Sequence, residues 1–154
     1  SSGARLVPSV GEQQQLFRET VAAFADSLVD DSMKKLWDSS ANGLRQTASV
    51  EDLDNAFKTF FDDDDAFLTM SKITPVIDSA KINEKAAILS IRGHYGFKDK
   101  SVHFEQRYIY EGTNWRLSGL AVQAQYRSKL LWMTGEACIL GWKNAASQSR
   151  TVSV

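Results

Sequence analysis

The sequence predicts an α+β domain in which N-terminal helices cover one face of a curved antiparallel sheet of about four strands. Two observations predict this architecture. Apolar side chains recur at helical spacing in the N-terminal half, and from Ile73 onward their spacing shortens towards two. A sheet with a single apolar face needs a covering layer, and the amphipathic helices are the only material that the chain offers for it.

The composition fits one domain. The chain has 154 residues, of which 43% are hydrophobic, enough for a core of ordinary size. Its net charge of -1 provides no basic excess for wrapping a phosphate backbone, so no nucleic-acid partner is expected. Charge is nevertheless uneven. Between Phe24 and Asp65 eleven acids accompany four bases, whereas bases outnumber acids from Ala66 onward, and such asymmetry can orient a partner.

Three features that the sequence lacks exclude further classes of protein or bear on its start. The longest apolar run, residues 130–133, is far short of the about 20 residues that cross a bilayer, so no membrane span is expected. The single Cys138 lacks a second thiol for a disulfide or a zinc site. The N-terminus has neither an initiating Met nor a signal pattern, which favours a processed or truncated start.

Three helices are predicted in the N-terminal half. Residues 13–26 carry apolar side chains at three- and four-residue spacing, which is typical of an amphipathic helix. Asp30 offers a cap for a short second helix, which we expect to end at Asn42. A third helix is predicted from Ser49, whose hydroxyl forms a capping box with Asp52.

Four strands are predicted after the aspartate run of residues 62–65. That run is interpreted as a solvated linker, because consecutive Asp residues lack the alternating ligand spacing of a calcium loop. The predicted strands are residues 73–82, 86–97, 102–110 and 115–123. Short polar connections join them, so the last three strands are expected to form a meander.

The C-terminal end fits this pattern less well. Residues 124–154 are interpreted as an extension beyond a domain at residues 12–123, with a flexible segment at residues 1–11. A hairpin around Gly135 and a helix compete for the first part of the extension, and both interpretations stay open. Residues 144–154 are polar and small, and are expected to be disordered.

Three segments carry a resemblance to a known family: DSMKKLWD at residues 31–38, SVEDL at residues 49–53 and YIYEGTNWRLSG at residues 108–119. They resemble the nuclear transport factor 2-like superfamily, and in particular small bacterial exported proteins of unknown function. The resemblance covers roughly residues 12–123. It implies a cone-shaped interior between the sheet and the helices. It also favours an exported or periplasmic location, and a cytoplasmic location stays the alternative. Superfamily members include isomerases, dehydratases and assembly domains, so the fold alone does not select an activity.

The inner face of the predicted sheet is rich in aromatic residues. Together with helix residues it would form an interior with a few hydrogen-bonding groups, suited to a small apolar ligand. The alternative is that these residues simply fill the core. The candidate ligand-binding residues are Trp37, Phe57, Tyr95, Phe104, Gln106, Tyr108 and Trp115.

An enzyme of isomerase or dehydratase type would need an acid or base inside that interior. Asp78 is the one acid that strand alternation places near an apolar face, beside Val76 and Ala80. Tyr108 or Tyr95 would donate a hydrogen bond to a developing oxyanion. Because acids are usually exposed, the pairing of Asp78 with one of these tyrosines stays an alternative to a non-catalytic domain.

The opposite sheet face carries a polar set that is interpreted as a partner-binding surface or a dimer interface. Its members are Arg92, His94, His103, Glu105 and Arg107. Two His and one Glu suit a metal, but pairs of opposite charge are a routine feature of exposed sheets. No metal and no cofactor are therefore expected. The preferred hypothesis is a non-catalytic domain that binds a small apolar ligand or a protein, with an enzyme and a self-association scaffold as alternatives.

Overall fold

The computed structural model describes residues 6–97, 100–127 and 132–138, with side chains at residues 6–96 and 101–125. Helices come first and strands follow. The helices are α1 (Val10–Val29), α2 (Lys34–Asp38), α3 (Asn42–Thr47), α4 (Val50–Phe57), the 3-10 helix η1 (Lys58–Asp63) and α5 (Asp64–Met70). The strands are β1 (Val76–Asn83), β2 (Ile88–Phe97), β3 (Lys100–Glu111), β4 (Asn114–Arg127) and β5 (Trp132–Cys138).

The longest helix, α1, begins at a capping box. The Ser9 side chain accepts from the Glu12 amide at 3.2 Å, and the Glu12 carboxylate accepts from the Ser9 amide at 3.1 Å. These two bonds satisfy amides that the first turn leaves without helical partners. Phe17, Val21 and Phe24 follow at four- and three-residue spacing and are fully buried. The helix therefore presents one apolar stripe to the rest of the domain.

Two features of the helical layer differ from the prediction. Asn42 begins α3 and does not end α2, because Ser39 already caps α2 and Ala41 precedes the new helix in extended conformation. The aspartate run is not a linker, since it lies in η1 and the first turn of α5. Acidic side chains are favourable at a helix N-terminus, and burial of Phe67 anchors the helix that follows. The predicted capping box of Ser49 and Asp52 is present.

The strands form one sheet in the order β1-β2-β3-β4-β5, and every neighbouring pair is antiparallel. The helices pack on one face of this sheet, and a single cluster of buried residues joins the two layers. The predicted α+β architecture is thus confirmed. Among the described residues, no helix combines the length and the apolar character needed to span a membrane.

The last two strands depart from the predicted domain limits. β4 continues to Arg127, beyond the boundary set at residue 123, and β5 pairs with it in the segment interpreted as an extension. Gly135 lies inside β5, opposite Ala124, and not in a turn. The free edge of β4 supplies the backbone partners that this segment needs, which local spacing could not reveal. The interpretation of residues 144–154 lies outside the described residues.

Aromatic rings fill the space between helices and sheet. Phe24 is at the centre, with edge-to-face contacts to Phe57 and Phe67 at 5.2 Å between ring centroids and to Phe104 at 6.4 Å. Phe17 contacts Phe104 at 5.7 Å. Edge-to-face pairs of this kind add to the stabilisation that burial of the rings provides.

A glycine of β2 allows the helix to approach the sheet this closely. A Cβ atom at Gly93 would lie 2.8 Å from the ring of Phe17 and 2.8 Å from the carbonyl oxygen of Val76. The same addition at Gly96, three residues along the strand, would meet nothing within 4 Å. The two positions therefore form a matched pair.

We predict that Gly93→Ala destabilises the domain by about 1–3 kcal/mol, because the new methyl group overpacks against a ring and a backbone oxygen. Gly96→Ala should change the free energy of unfolding by no more than about 0.5 kcal/mol. Urea unfolding followed by circular dichroism measures both. Equal effects of the two substitutions would contradict the packing of α1 on β2.

Candidate functional site

The inner face of the sheet carries a buried polar network. Gln106 is fully buried, and its Oε1 accepts from the Tyr108 hydroxyl at 2.6 Å. The Tyr108 oxygen lies 2.7 Å from the Thr20 hydroxyl of α1, and Gln106 Nε2 donates to the Phe17 carbonyl oxygen at 3.4 Å. All these partners belong to the domain itself, so the amide expected to recognise a ligand is used to join the sheet to α1.

The structure brings together most of the residues predicted to bind a ligand, and it places them in the packed core. Phe57, Tyr95 and Phe104 belong to the same buried cluster as Tyr108. The two tryptophans lie at its margins. Trp37 is half-buried and donates from Nε1 to the Ala48 carbonyl oxygen at 2.8 Å. Trp115 makes an edge-to-face contact of 5.1 Å with Tyr110, near the β3–β4 turn.

The two inner tyrosines have different surroundings. Burial raises the pKa of Tyr95 to about 12, with the nearby positive charge of Arg18 opposing the shift. Burial also raises the pKa of Tyr108 above its usual range. The Tyr95 hydroxyl has no hydrogen-bond partner among the described residues. Both phenols are therefore neutral at physiological pH, so neither is poised as a base.

Asp78 lies on the opposite face from the one that strand alternation predicted. Ile77 pairs with Gly93 and Ser79 pairs with Arg92, so Asp78 is the extra residue of a β-bulge. The bulge shifts the alternation, so that Ala80 packs against the core while Asp78 is 43% exposed. The acid-base pair of Asp78 with Tyr108 or Tyr95 is therefore not assembled.

The polar residues that were predicted to bind a partner lie together on one side of the sheet. We call this side the outer face; it carries the outward side chains of β2 and β3, none of which is buried. Glu105 lies between two guanidinium groups, with Arg92 at 3.2 Å and Arg107 at 3.3 Å. Because Glu105 is only 19% exposed while Arg92 is 64% exposed, the positive charge is the part that solvent meets first.

The two histidines lie on this outer face, directly opposite each other on β2 and β3. The rings of His94 and His103 stack with their centroids 5.0 Å apart. His94 Nδ1 lies 2.8 Å from a carboxylate oxygen of Asp78. The bulge in β1 is thus the feature that brings an acid to the histidine pair.

A groove that was not predicted from the sequence lies at one end of the domain. It lies between the start of α1 and the β3–β4 turn and has a volume of about 890 Å³. Its walls include the Tyr110 and Trp115 pair, the carboxylates of Glu12 and Glu19, and Leu6 from the segment before α1. These residues come from distant parts of the chain, so no local pattern identifies them.

Comparison of this chain with protein-family models, with curated proteins and with solved structures gave no match. The resemblance to the nuclear transport factor 2-like superfamily therefore stays a prediction.

We predict that Tyr108→Phe destabilises the domain by about 1–3 kcal/mol, because the buried groups of Thr20 and Gln106 lose their shared partner. Tyr95→Phe also removes a hydroxyl group, but this hydroxyl has no hydrogen-bond partner among the described residues. The substitution should therefore change the free energy of unfolding by no more than about 0.5 kcal/mol. Urea unfolding midpoints measure the difference. If Tyr95→Phe were the more damaging variant, the assigned network would be wrong.

Proposed function

We propose that this domain is a non-catalytic binding module that docks an acidic protein surface on the outer face of its sheet. The proposal rests on the difference between the two faces of the sheet, one of which is buried and the other accessible. The inner face uses its rings and its buried amide to hold the helices, whereas the outward side chains of β2 and β3 stay accessible. An interface needs such an accessible, shaped surface.

The charges of the outer face favour a negative partner. Lys81 of β1 is exposed and pairs in register with Ser90, which places it on this face beside Arg92 and Arg107. Glu105 and Asp78 supply two carboxylates on this side of the sheet against these three cations, which leaves an excess of one positive charge among them. The excess of acids that the chain carries lies instead in the helical segment from Phe24 to Asp65. Complementary charge steers association and selects among partners.

Small side chains make this face approachable. Ser79 and Ser90 lie beside Arg92, and Gly119 and Ala121 of β4 pair in register with Arg107 and Glu105. A partner can therefore reach the backbone level of the sheet between the charged side chains. Charged side chains that project beyond their small neighbours can pair with opposite charges of a partner and so fix the register of the two surfaces.

The proposal predicts a charge-dependent interaction with a labelled oligoglutamate peptide, measured by fluorescence anisotropy at low salt. Arg92→Glu should weaken binding about tenfold, which corresponds to 1.4 kcal/mol. Lys58→Glu is the matched control, because Lys58 is exposed on η1, on the helical side of the domain. Binding should weaken as salt screens the charges.

Three outcomes would overturn this proposal. Equal loss of binding in Arg92→Glu and Lys58→Glu would show that the peptide responds to net charge and not to the outer face. Absence of binding by the wild-type chain would remove the acidic partner. A dimer in light scattering that Arg92→Glu dissociates would identify a second copy of the chain as the occupant of this face.

The groove favours a second candidate function, the binding of a small amphipathic amine. Tyr110 and Trp115 present aromatic surface, and Glu12 and Glu19 supply two carboxylates against the single guanidinium of Arg116. An ammonium group is attracted both to carboxylates and to aromatic faces. This candidate replaces the apolar ligand of the interior, whose predicted binding residues pack against one another or at the margins of the core.

We predict that 2-phenylethylamine shifts the backbone amide signals of Gln15 and Asn114 in a two-dimensional NMR titration, while 3-phenylpropionate of similar size and opposite charge does not. Trp115→Ala should abolish the shifts, because it removes one of the two aromatic surfaces. Trp37→Phe is the control, since Trp37 is not a groove residue. Equal shifts with the two compounds would contradict recognition of an amine.

A further inference from the structure

The strongest cluster of metal-binding groups in the described part of the chain lies on the outer face. Asp78, His94 and His103 each offer a ligand atom, and these atoms lie within 4.8 Å of one another. The chain contains two histidines in total, and the fold brings both to this one place. From this convergence we propose that Asp78, His94 and His103 form a binding site for Zn²⁺ or a similar late first-row divalent metal ion.

The chemistry of the three groups selects the class of metal. Two imidazole nitrogens and one carboxylate suit Zn²⁺, Ni²⁺ and Cu²⁺, whereas Mg²⁺ and Ca²⁺ prefer sets made entirely of oxygen ligands. Zinc bonds to these groups are about 2.0–2.2 Å long, so the ligand atoms of a tetrahedral zinc site lie about 3.3–3.6 Å apart. The ligand atoms of Asp78, His94 and His103 lie within 4.8 Å of one another, so side-chain rotations that move them by about 1 Å would bring all three to one ion.

The backbone holds the three groups in place without a metal. The ladder between β2 and β3 sets His94 directly opposite His103, and it fixes the side of the sheet on which both rings stand. The β1 bulge adds the carboxylate. A regular strand continued back from the inward-facing Ala80 would turn Asp78 to the inner side. The inserted residue leaves Asp78 on the outer face, where its carboxylate lies 2.8 Å from His94 Nδ1.

The surroundings leave room for the ion. Gly96 lies next to the histidines on the outer face, and even an added Cβ there would meet nothing within 4 Å. Arg92, the next outward residue of β2 on the other side, is held by Glu105 at 3.2 Å, which offsets its repulsion of a cation. Three protein ligands leave at least one coordination position for water or for a donor from outside the chain.

The test is a calorimetric titration of the full, untagged chain with Zn²⁺ alone. We expect one ion per chain, and a loss of affinity of about tenfold or more in His94→Gln and in His103→Gln. Asp78→Asn should weaken binding by about tenfold as well. Mg²⁺ in excess should not compete. Cys138→Ser is the control for binding through the thiol, and it should bind Zn²⁺ like the wild-type chain.

A second measurement needs no variant. Paramagnetic Co²⁺ should broaden the NMR amide signals of Asp78, His94 and His103 before those of α1 or α5. Failure to approach saturation at about 1 mM Zn²⁺, unchanged affinity in both histidine variants, or broadening centred elsewhere would each overturn the site. No partner is present in these titrations, so their outcome is independent of the oligoglutamate experiment.

Discussion

Burial of the α1 stripe against β2 and β3 is the contact on which the other elements depend. Phe24 of α1 touches rings from α4, η1, α5 and β3, so one side chain joins five elements. Gly93 of β2 permits the close approach of Phe17, and the Gln106 network ties polar groups of α1 to β3. A substitution in this contact would therefore displace residues of both the helices and the sheet, since a close-packed interior transmits strain.

The parts of the fold that local chemistry determines could be predicted. The spacing of Phe17, Val21 and Phe24 defines a helical face by itself, and the Ser49–Asp52 capping box needs only four consecutive residues. The parts that depend on distant neighbours could not. β5 forms because β4 offers a free edge, and nothing within the segment around Gly135 reports that edge.

The same distinction applies to the candidate sites. His94 and His103 were placed on one face by alternation, and the structure puts them opposite each other. Asp78 was assigned to the wrong face because alternation assumes a regular strand, and a single inserted residue reverses it. The groove could not be predicted from the sequence, since Leu6 and Trp115 are brought together only by the tertiary fold.

One bulge thus changes the chemistry of both faces. By turning Asp78 out of the interior it prevents the pairing of Asp78 with Tyr108, whose hydroxyl is hydrogen-bonded to Gln106 and Thr20 instead. By adding Asp78 to the outer face it completes a group of three ligands that His94 and His103 do not form alone. The side chains of the inner face are thereby used to hold the two layers together, whereas those of the outer face stay accessible to solvent.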